Sequence, residues 1–187
     1  MRDDLDRYYT PRHALQPLVQ ALNLDGPRRL SILEPCAGHL AIAAPLMEMG
    51  HGVITADVDS GAPVALNRDA MSWTREELGR LDAIITNPPY LACGVHCAQL
   101  VRHWLDNGAP LVACLMRLSF LEPCSSGKAS DRADLLNGPR APSHVMVLPR
   151  VSYTGDGKTD NVTSCWIVWR AGHTGPTHMT CHPRETT

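Results

Sequence analysis

Long apolar runs are absent from this sequence of 187 residues. No stretch approaches the roughly 20 consecutive apolar residues that a membrane-spanning helix requires. Residues 1–9 are mostly polar or charged, which does not fit the apolar core of a secretory signal peptide. Both absences predict a protein of the cytoplasm that has no membrane partner.

An excess of charge of one sign is absent as well, since the formal net charge is −2. A chain with so little net charge does not coat nucleic acid through charge alone. The charge is uneven, however, because residues 1–116 carry −4 and residues 117–187 carry +2. A bound polyanion is therefore expected nearer to the second half of the chain.

Regularly spaced cysteine pairs are also missing. The seven cysteines are an odd number and are scattered, which predicts reduced thiols and no disulfide framework. Cys93, His96 and Cys97 lie close together, but a zinc site takes about four ligands and no second pair is spaced to complete one. We therefore expect no metal site. The histidine-rich residues 172–187 are expected to form a flexible tail.

The sequence does contain a series of short apolar runs that do not alternate with polar residues, as in strands buried on both faces. Helix-length segments separate the early runs, and residues 11–23 and 40–49 are expected to be helices. The runs expected to form strands are 30–33, 53–56, 81–86, 111–118, 145–148 and 165–169. This alternation predicts one α/β domain over residues 1–187, with helices on both faces of a mostly parallel sheet.

Residues 121–143 differ from the rest of the chain. They contain proline, glycine, serine and charged residues with no steady hydrophobic period. A stretch of this length without regular structure is usually functional or disordered. We therefore predict a mobile loop, with one helical turn near residues 132–136.

The ends of the first two strands indicate a nucleoside ligand. Ligands of open α/β sheets bind beyond the carboxyl ends of the strands. The first strand ends at Glu34, and the small residues Ala37 and Gly38 that follow let a ligand approach the backbone closely. Asp57 ends the next strand, about 20 residues further on, where an acid suits a ribose diol. Asp57 on its own would equally fit a helix cap.

The end of the third strand carries the segment 87–90, of sequence Asn-Pro-Pro-Tyr. An exocyclic amine or an amide nitrogen is a poor nucleophile because its lone pair is delocalised. The Asn87 side-chain oxygen and the Pro88 carbonyl can accept hydrogen bonds from both of its N–H groups. The two prolines fix the backbone before the substrate binds. Tyr90 offers a flat face on which a base can stack. A buried strand that leads directly into this segment favours a catalytic role over a plain proline-rich turn.

With these segments, the chain resembles the amino-methyltransferases that modify adenine N6 in DNA. The later segments 117–122 and 149–160 resemble small phage and prophage members of that group, and the resemblance extends from about residue 5 to residue 169. It implies a Rossmann-like class I methyltransferase fold, a three-layer sandwich whose sheet has seven strands with the last inserted antiparallel. It also implies S-adenosyl-L-methionine as cofactor, DNA (double- or single-stranded) as partner, and the cytoplasm of a bacterial or phage-infected cell.

The resemblance further implies roles for single residues. Those expected to bind the cofactor are Tyr9, Thr10, Pro11, Glu34, Pro35, Cys36, Ala37, Gly38, Asp57, Val58, Asp69, Ala70 and Asn87. Within this set, Asp57 would hold the ribose and Asp69 the amino group of the cofactor adenine. The catalytic residues would be Asn87, Pro88, Pro89 and Tyr90. Leu40 is a departure, because the family's first loop has a second glycine there, and this puts the affinity for the cofactor in question.

A target base must leave the duplex to reach such a cleft, unless the substrate is single-stranded. The chain has no room for a separate target-recognition domain, so we expect residues 121–143 and 154–161 to contact the substrate. The residues expected to bind substrate are Tyr90, Ser152, Tyr153, Arg132, Arg140, Arg150 and Lys158, with the four basic ones on phosphates. Sequence specificity should then be short or relaxed.

Other functions stay open at this point. The same segment could methylate cytosine N4, adenine N6 in RNA, or a glutamine amide in a protein, as in release-factor methyltransferases. Residues 10–11 and 155–157 favour DNA over protein. A protein of this fold that binds nucleic acid without catalysis is a further alternative, which the intact segment 87–90 argues against and Leu40 supports.

Overall fold

The computed structural model describes residues 10–92, 95–122, 131–150 and 162–183, apart from the side chains of residues 91, 92 and 95. Its strands, in chain order, are β1 Ser31–Glu34, β2 Gly52–Asp57, β3 Leu66–Asn67, β4 Ala83–Thr86, β5 Leu91–Ala92, β6 Val95–His96, β7 Leu111–Arg117, β8 His144–Val147, β9 Ser164–Arg170 and β10 His178–Cys181. Its α-helices are α1 Gln16–Leu22, α2 Ala43–Glu48, α3 Arg75–Leu78, α4 Cys97–Asp106 and α5 Ala133–Leu136. Single 3-10 turns cover Arg12–Leu15, Leu118–Leu121 and Gly138–Arg140.

Eight of these strands form one sheet of order β10-β8-β9-β7-β4-β1-β2-β3. All neighbours are parallel except β9, which runs antiparallel to both β7 and β8. The predicted mostly parallel sheet with one inserted antiparallel strand is therefore confirmed. The remaining two strands, β5 and β6, form a small antiparallel hairpin.

The expected strand count of seven was wrong, because part of the predicted flexible tail is a strand. β10 lies parallel to β8, with His178 opposite His144 and Cys181 opposite Val147. The imidazole rings of His144 and His178 stack with their centroids 5.8 Å apart. All four residues of β10 are exposed, so backbone pairing holds this strand without a buried apolar side chain.

Alternate residues of the sheet face two separate cores, as expected for strands covered on both sides. On β1, Ile32 packs into one core and Leu33 into the other. The first core contains α1 and α2 residues such as Leu18 and Leu46. The second contains residues of α3, α4 and α5, among them Trp104. The three layers predicted from the sequence are therefore present.

The segment before α1 is hydrogen-bonded to β9, which comes late in the sequence. The indole nitrogen of Trp166, on β9, donates a hydrogen bond of 2.7 Å to the carbonyl oxygen of Ala14. Both residues are buried. The N-terminal segment is therefore held over the sheet beside the strands that carry the candidate site.

Part of the predicted mobile loop is folded instead. Within residues 131–143, α5 supplies the helical turn expected there, and Leu135 is fully buried in the core. The Arg102 guanidinium binds the Asp134 carboxylate, and the Trp169 indole donates to the Leu135 carbonyl at 2.8 Å. These contacts dock the segment on α4 and β9. Residues 123–130 lie outside the described part.

None of the helices in the described part is long and apolar enough to cross a bilayer.

Candidate active site

Three strand ends converge at the carboxyl edge of the sheet. β1 lies between β2 and β4, with Glu34 opposite Thr55 and Leu33 opposite Ile84. Asp57 and Asn87 each lie two residues beyond the level of Glu34, one on either side of it. The loop that follows β1 is therefore flanked by the acid and the amide that the sequence singled out.

The Asp57 carboxylate fixes the loop after β1. Its Oδ2 accepts a hydrogen bond of 2.8 Å from the Gly38 amide, and its Oδ1 accepts one of 2.9 Å from the Asp59 amide. The Ala37 amide also donates to the Ala56 carbonyl at 2.9 Å. Each carboxylate oxygen has a further lone pair, so Asp57 keeps acceptor capacity for a ligand while it holds the loop.

Open space lies beside this loop at Gly38. The residue has a φ of +46°, and a Cβ built there would meet no heavy atom within 4 Å. Gly38 therefore serves the turn conformation and leaves the backbone open to a bound molecule.

Glu34 is a buried carboxyl group with an unsatisfied oxygen. It is 2% exposed, and its Oε2 has no hydrogen-bond partner among the described residues. Burial raises the pKa of Glu34 well above its usual range, a hydrogen bond from the Ala43 amide lowers it, and the nearby Asp57 carboxylate raises it. A buried acid in this state favours a cationic or hydrogen-donating partner.

Three acids lie near enough to Cys36 to act on the pKa of its thiol. Burial raises the pKa of the Cys36 thiol most, and the carboxylates of Asp57, Glu34 and Asp69 add to the effect. Cys36 is therefore held as a neutral thiol, which suits a residue that lines a site and does not attack a substrate. Asp69 is itself exposed, and its Oδ1 accepts from the Met71 amide at 2.8 Å.

Leu40 occupies a left-handed conformation, with a φ of +64°. Its amide donates to the Ala37 carbonyl at 2.7 Å, which closes the turn that leads into α2. This is the position at which the resemblance led us to expect glycine. The loop thus keeps the conformation that glycine would adopt, at a steric cost on the order of 1–2 kcal/mol for a residue with a Cβ.

Leu40→Gly is expected to be more stable than Leu40→Ala by about 1 kcal/mol, because only glycine adopts this φ without strain. Chemical denaturation would measure the difference. Ala44, exposed on α2, is the matched control, since Ala44→Gly should lower the free energy of unfolding by about 1 kcal/mol. A Leu40→Ala protein as stable as Leu40→Gly would contradict the strain.

The Asn87 amide is held from one side. Its Nδ2 donates a hydrogen bond of 3.1 Å to the hydroxyl oxygen of Thr10, a residue that is 3% exposed. The Asn87 side-chain oxygen accepts no hydrogen bond from any described residue. Pro88 is buried and Pro89 half-buried, so the segment after β4 is packed against the protein. The arrangement presents a hydrogen-bond acceptor at the end of a central strand.

Tyr90 is paired with a cation that the sequence did not assign. The Arg117 guanidinium, at the end of β7, lies over the Tyr90 ring at 4.4 Å from its centroid. Both side chains are half-buried. The contact fixes the orientation of the ring and puts a positive charge beside it. The sequence signals for Arg117 were its position at the end of a buried strand and its place in segment 117–122, and neither indicated a contact with Tyr90.

The remaining residues predicted for the cofactor are distributed around these strand ends. Ala37 and Ala70 are buried, Pro11 is half-buried, and Val58 is 55% exposed at the end of β2. The Ala70 carbonyl accepts from the Trp104 indole at 3.0 Å, which ties this segment to α4. Tyr9, predicted here too, lies outside the described residues.

Among the basic residues predicted to bind phosphate, Arg132 is buried and engaged within the fold. It is 8% exposed, and its guanidinium donates to the backbone carbonyls of Phe120 at 2.5 Å and Ser119 at 2.7 Å. The guanidinium also lies over the Phe120 ring. Arg132 therefore closes the turn after β7, because a charge buried in the fold satisfies its hydrogen bonds there.

The other predicted substrate residues are more exposed or lie outside the described part. The Arg140 guanidinium pairs with Asp106 and lies 3.8 Å from Asp134, so it also helps to dock α5. Arg150 is exposed at the end of the segment that follows β8. The predicted residues outside the described part are Ser152, Tyr153 and Lys158.

Arg132→Ala is expected to lower the free energy of unfolding by about 2–3 kcal/mol, because two buried carbonyl oxygens lose a charged donor. Denaturant titration of the purified variant tests this. Exposed Arg150 provides the comparison, and Arg150→Ala should stay within about 0.5 kcal/mol of the parent. If the two variants were equally stable, Arg132 would have no structural role and would remain a candidate substrate-binding residue.

The described residues contain no cluster of potential metal ligands. Within residues 10–92, 95–122, 131–150 and 162–183, no three His, Cys, Asp or Glu side chains are arranged to hold a metal ion.

Comparison with known proteins identifies the fold. No protein-family model and no curated protein matches the sequence. A type I restriction-modification methyltransferase subunit from Streptococcus thermophilus is 14% identical, with a TM-score of 0.63 over 89% of this chain and 45% of that one. A protein from Pyrococcus horikoshii described as an RNA methyltransferase is 15% identical, with a TM-score of 0.62 over 90% and 89%. The fold is the Rossmann-like methyltransferase fold.

A third structure with this fold is magnesium protoporphyrin IX methyltransferase from Synechocystis, solved with bound S-adenosylmethionine. It is 14% identical, with a TM-score of 0.54 over 86% of this chain and 79% of that one. The present chain spans less than half of the length of the type I subunit that it matches. The predicted fold class is confirmed.

Proposed function

We propose that this chain is an S-adenosylmethionine-dependent methyltransferase that acts on the exocyclic N6 amine of adenine in DNA. The observation that carries the proposal is the Asn-Pro-Pro-Tyr segment at the end of β4, with the Asn87 amide nitrogen engaged by Thr10. The Asn87 side-chain oxygen is thereby left to accept a hydrogen bond from the substrate amine. Such a bond localises the lone pair of the amine, which makes it a nucleophile.

The residues around β1 and β2 fit such a cofactor. The unsatisfied Glu34 oxygen suits an ammonium group, such as the one at the methionine end. Asp57 has lone pairs left for a ribose diol, and the open space at Gly38 admits a ligand to the backbone. When bound, S-adenosylmethionine supplies a methyl group already activated on a sulfonium sulfur.

The protein's own part in the reaction is positioning and electrostatics. The Asn87 oxygen and the Pro88 carbonyl accept hydrogen bonds from the two N–H groups of the amine. These bonds concentrate the lone pair on the nitrogen. With the cofactor bound, these same acceptors would stabilise the positive charge that develops on nitrogen as it takes the methyl group from the sulfonium. The nitrogen then releases one proton to water, so no strong base is needed in the segment.

Two observations support a nucleic-acid substrate over a protein glutamine. Tyr90 offers a ring for stacking, and the Arg117 charge beside it favours a nucleotide with its phosphate over a neutral amide side chain. The similarity to a type I restriction-modification subunit supports DNA as the substrate. The similarity to a protein described as an RNA methyltransferase favours RNA adenine as the second candidate, because the match spans 90% of this chain and 89% of that one.

The deciding experiment is transfer of labelled methyl from S-adenosylmethionine to unmodified duplex DNA, single-stranded DNA, RNA and release-factor protein, with nucleoside and peptide mass analysis of the products. N6-methyladenine in DNA is the expected product. N4-methylcytosine, methylated RNA or methylated glutamine would each replace the proposed substrate by another. Cofactor binding without any transfer would favour the non-catalytic alternative.

A further inference from the structure

The guanidinium of Arg117 covers one face of the Tyr90 ring. Its central carbon lies 4.4 Å from the ring centroid, within the range of a cation held against an aromatic face. A purine base that stacks on an aromatic ring takes up the same layer of space. The guanidinium and a base therefore cannot occupy this face of Tyr90 at the same time.

The protein also holds the Tyr90 ring in place. The ring is half-buried and packs against the core that contains α4. The Tyr90 carbonyl accepts a hydrogen bond of 3.3 Å from the Cys97 amide, at the start of that helix. The face under Arg117 is different, because it is covered by a long and flexible side chain that can move away.

Arg117 reaches Tyr90 because β7 extends beyond the end of β4. In the parallel pairing of these two strands, Thr86 lies opposite Cys114. Arg117 follows Cys114 by three residues, so it lies about 10 Å beyond the last paired residue of β4. It therefore lies at the same edge of the sheet as Asn87, on the side where a substrate would enter.

Positive charge acts on the start of α4, beside Tyr90. Burial raises the pKa of the Cys97 thiol to about 11, whereas the nearby charges of Arg132 and Arg117 lower it. Both guanidinium groups thus act on the same end of the helix. A phosphate that approaches Tyr90 is attracted by both of them.

We propose that in the free protein Arg117 covers the face of Tyr90 on which the target base stacks, and that the guanidinium moves to a phosphate of the target nucleotide when the base binds. Arg117 is then a specificity-determining residue, and this inference rests on the proposed function. A nucleotide offsets the contact that the guanidinium loses, because its base stacks on the ring and its phosphate binds the charge. A neutral glutamine amide does neither.

Binding of 2′-deoxyadenosine and of its 3′,5′-bisphosphate tests the inference, with the cofactor site filled by S-adenosylhomocysteine. The two probes differ only in their phosphates, and NMR titration measures weak affinities of both. In Arg117→Ala the ring is uncovered and the charge is lost. The nucleoside should then bind at least as tightly as to the parent, and the bisphosphate at least about 10-fold more weakly. The ratio of the two affinities should therefore fall at least about 10-fold.

Two further variants separate charge from structure. Arg117→Lys keeps the positive charge, so its ratio should stay within about 3-fold of that of the parent. Arg80 is the matched control, because it is exposed, pairs with Glu76 and precedes β4 at the opposite edge of the sheet. Arg80→Ala removes the same charge and should leave the ratio unchanged. An equal loss of both affinities in Arg117→Ala would show that Arg117 only supports the Tyr90 ring, and would overturn the inference.

The Nε–H resonance of Arg117, assigned by its loss in Arg117→Lys, gives a readout in the parent itself. A proton over an aromatic face is shifted upfield by the ring current, so this resonance should be upfield in the free protein. It should lose that shift when the bisphosphate binds, and a shift that persists in the complex would overturn the inference.

Failure of this inference and failure of the proposed function give different results. Methylation of DNA by the parent, together with an unchanged ratio in Arg117→Ala, would overturn this inference alone. Methylation of protein only, or of no substrate, would overturn the proposed function. The ratio and the Nε–H resonance would still show whether a phosphate draws Arg117 away from Tyr90.

Discussion

Asn87→Ala is expected to lower kcat for methyl transfer at least about 10³-fold, while the affinity for S-adenosylmethionine changes little. The loss is large because the side-chain oxygen is the acceptor that makes the amine nucleophilic, and no other described side chain takes its place at the end of β4. Initial rates at saturating cofactor, together with calorimetry of cofactor binding, measure the two quantities separately.

Asn107 offers a matched control for this substitution. It is a half-buried asparagine directly after α4, and its side-chain nitrogen donates to the His103 carbonyl at 2.9 Å. Asn107→Ala therefore removes the same group from a similar contact with a backbone oxygen, at the end of the sheet where β7 begins. Its activity should equal that of the parent. More than one tenth of parental turnover in Asn87→Ala would rule out the acceptor role.

Asp57→Ala is expected to weaken cofactor binding about 100-fold or more, with a smaller effect on kcat once the cofactor is saturating. Two consequences of the substitution add together. The Gly38 and Asp59 amides lose their acceptors, so the loop after β1 is released, and the acceptor available to a ribose diol disappears. Calorimetric titration with S-adenosylmethionine or its demethylated product measures the affinity directly.

Asp82 separates the loss of a ligand contact from the loss of a structural one. It immediately precedes β4, and its carboxylate accepts from the Ser31 amide at 2.9 Å and from Arg28 at 2.7 Å. Asp82 thus ties β1 to β4 at the opposite edge of the sheet from Asp57. Asp82→Ala should reduce stability without weakening cofactor binding more than about 3-fold. A comparable loss of affinity in both variants would assign the effect of Asp57 to folding.

The central strands were predictable because burial leaves a direct mark on their composition. Residues 83–85 and 111–116 are uniformly buried, and in the sequence they are uninterrupted apolar runs. Parallel strands then bring their carboxyl ends to one edge, so the proximity of Glu34, Asp57 and Asn87 follows from topology. This part of the candidate site could be predicted without knowledge of any side-chain contact.

The features that the sequence did not reveal have a common physical origin. β10 is held by backbone hydrogen bonds alone, so its exposed side chains carry no periodic signal. Arg132 was predicted to bind phosphate because it is charged, and local sequence gives no sign that its guanidinium is buried against the backbone carbonyls of 119 and 120. The Arg117–Tyr90 and Thr10–Asn87 contacts join segments far apart in sequence, where local patterns hold no information about which side chains meet.

The hydrogen bond from Trp166 to Ala14 has a consequence for the order of events during synthesis. The segment that carries Thr10 is synthesised more than 150 residues before the indole that fastens it. Pairing of β7 with β9 is delayed in the same way. Contacts of such long range form slowly, because the intervening chain must first be ordered. A nascent chain that ends before Trp166 therefore lacks this anchor for Thr10, and the site is completed only when nearly all of the sheet has been translated.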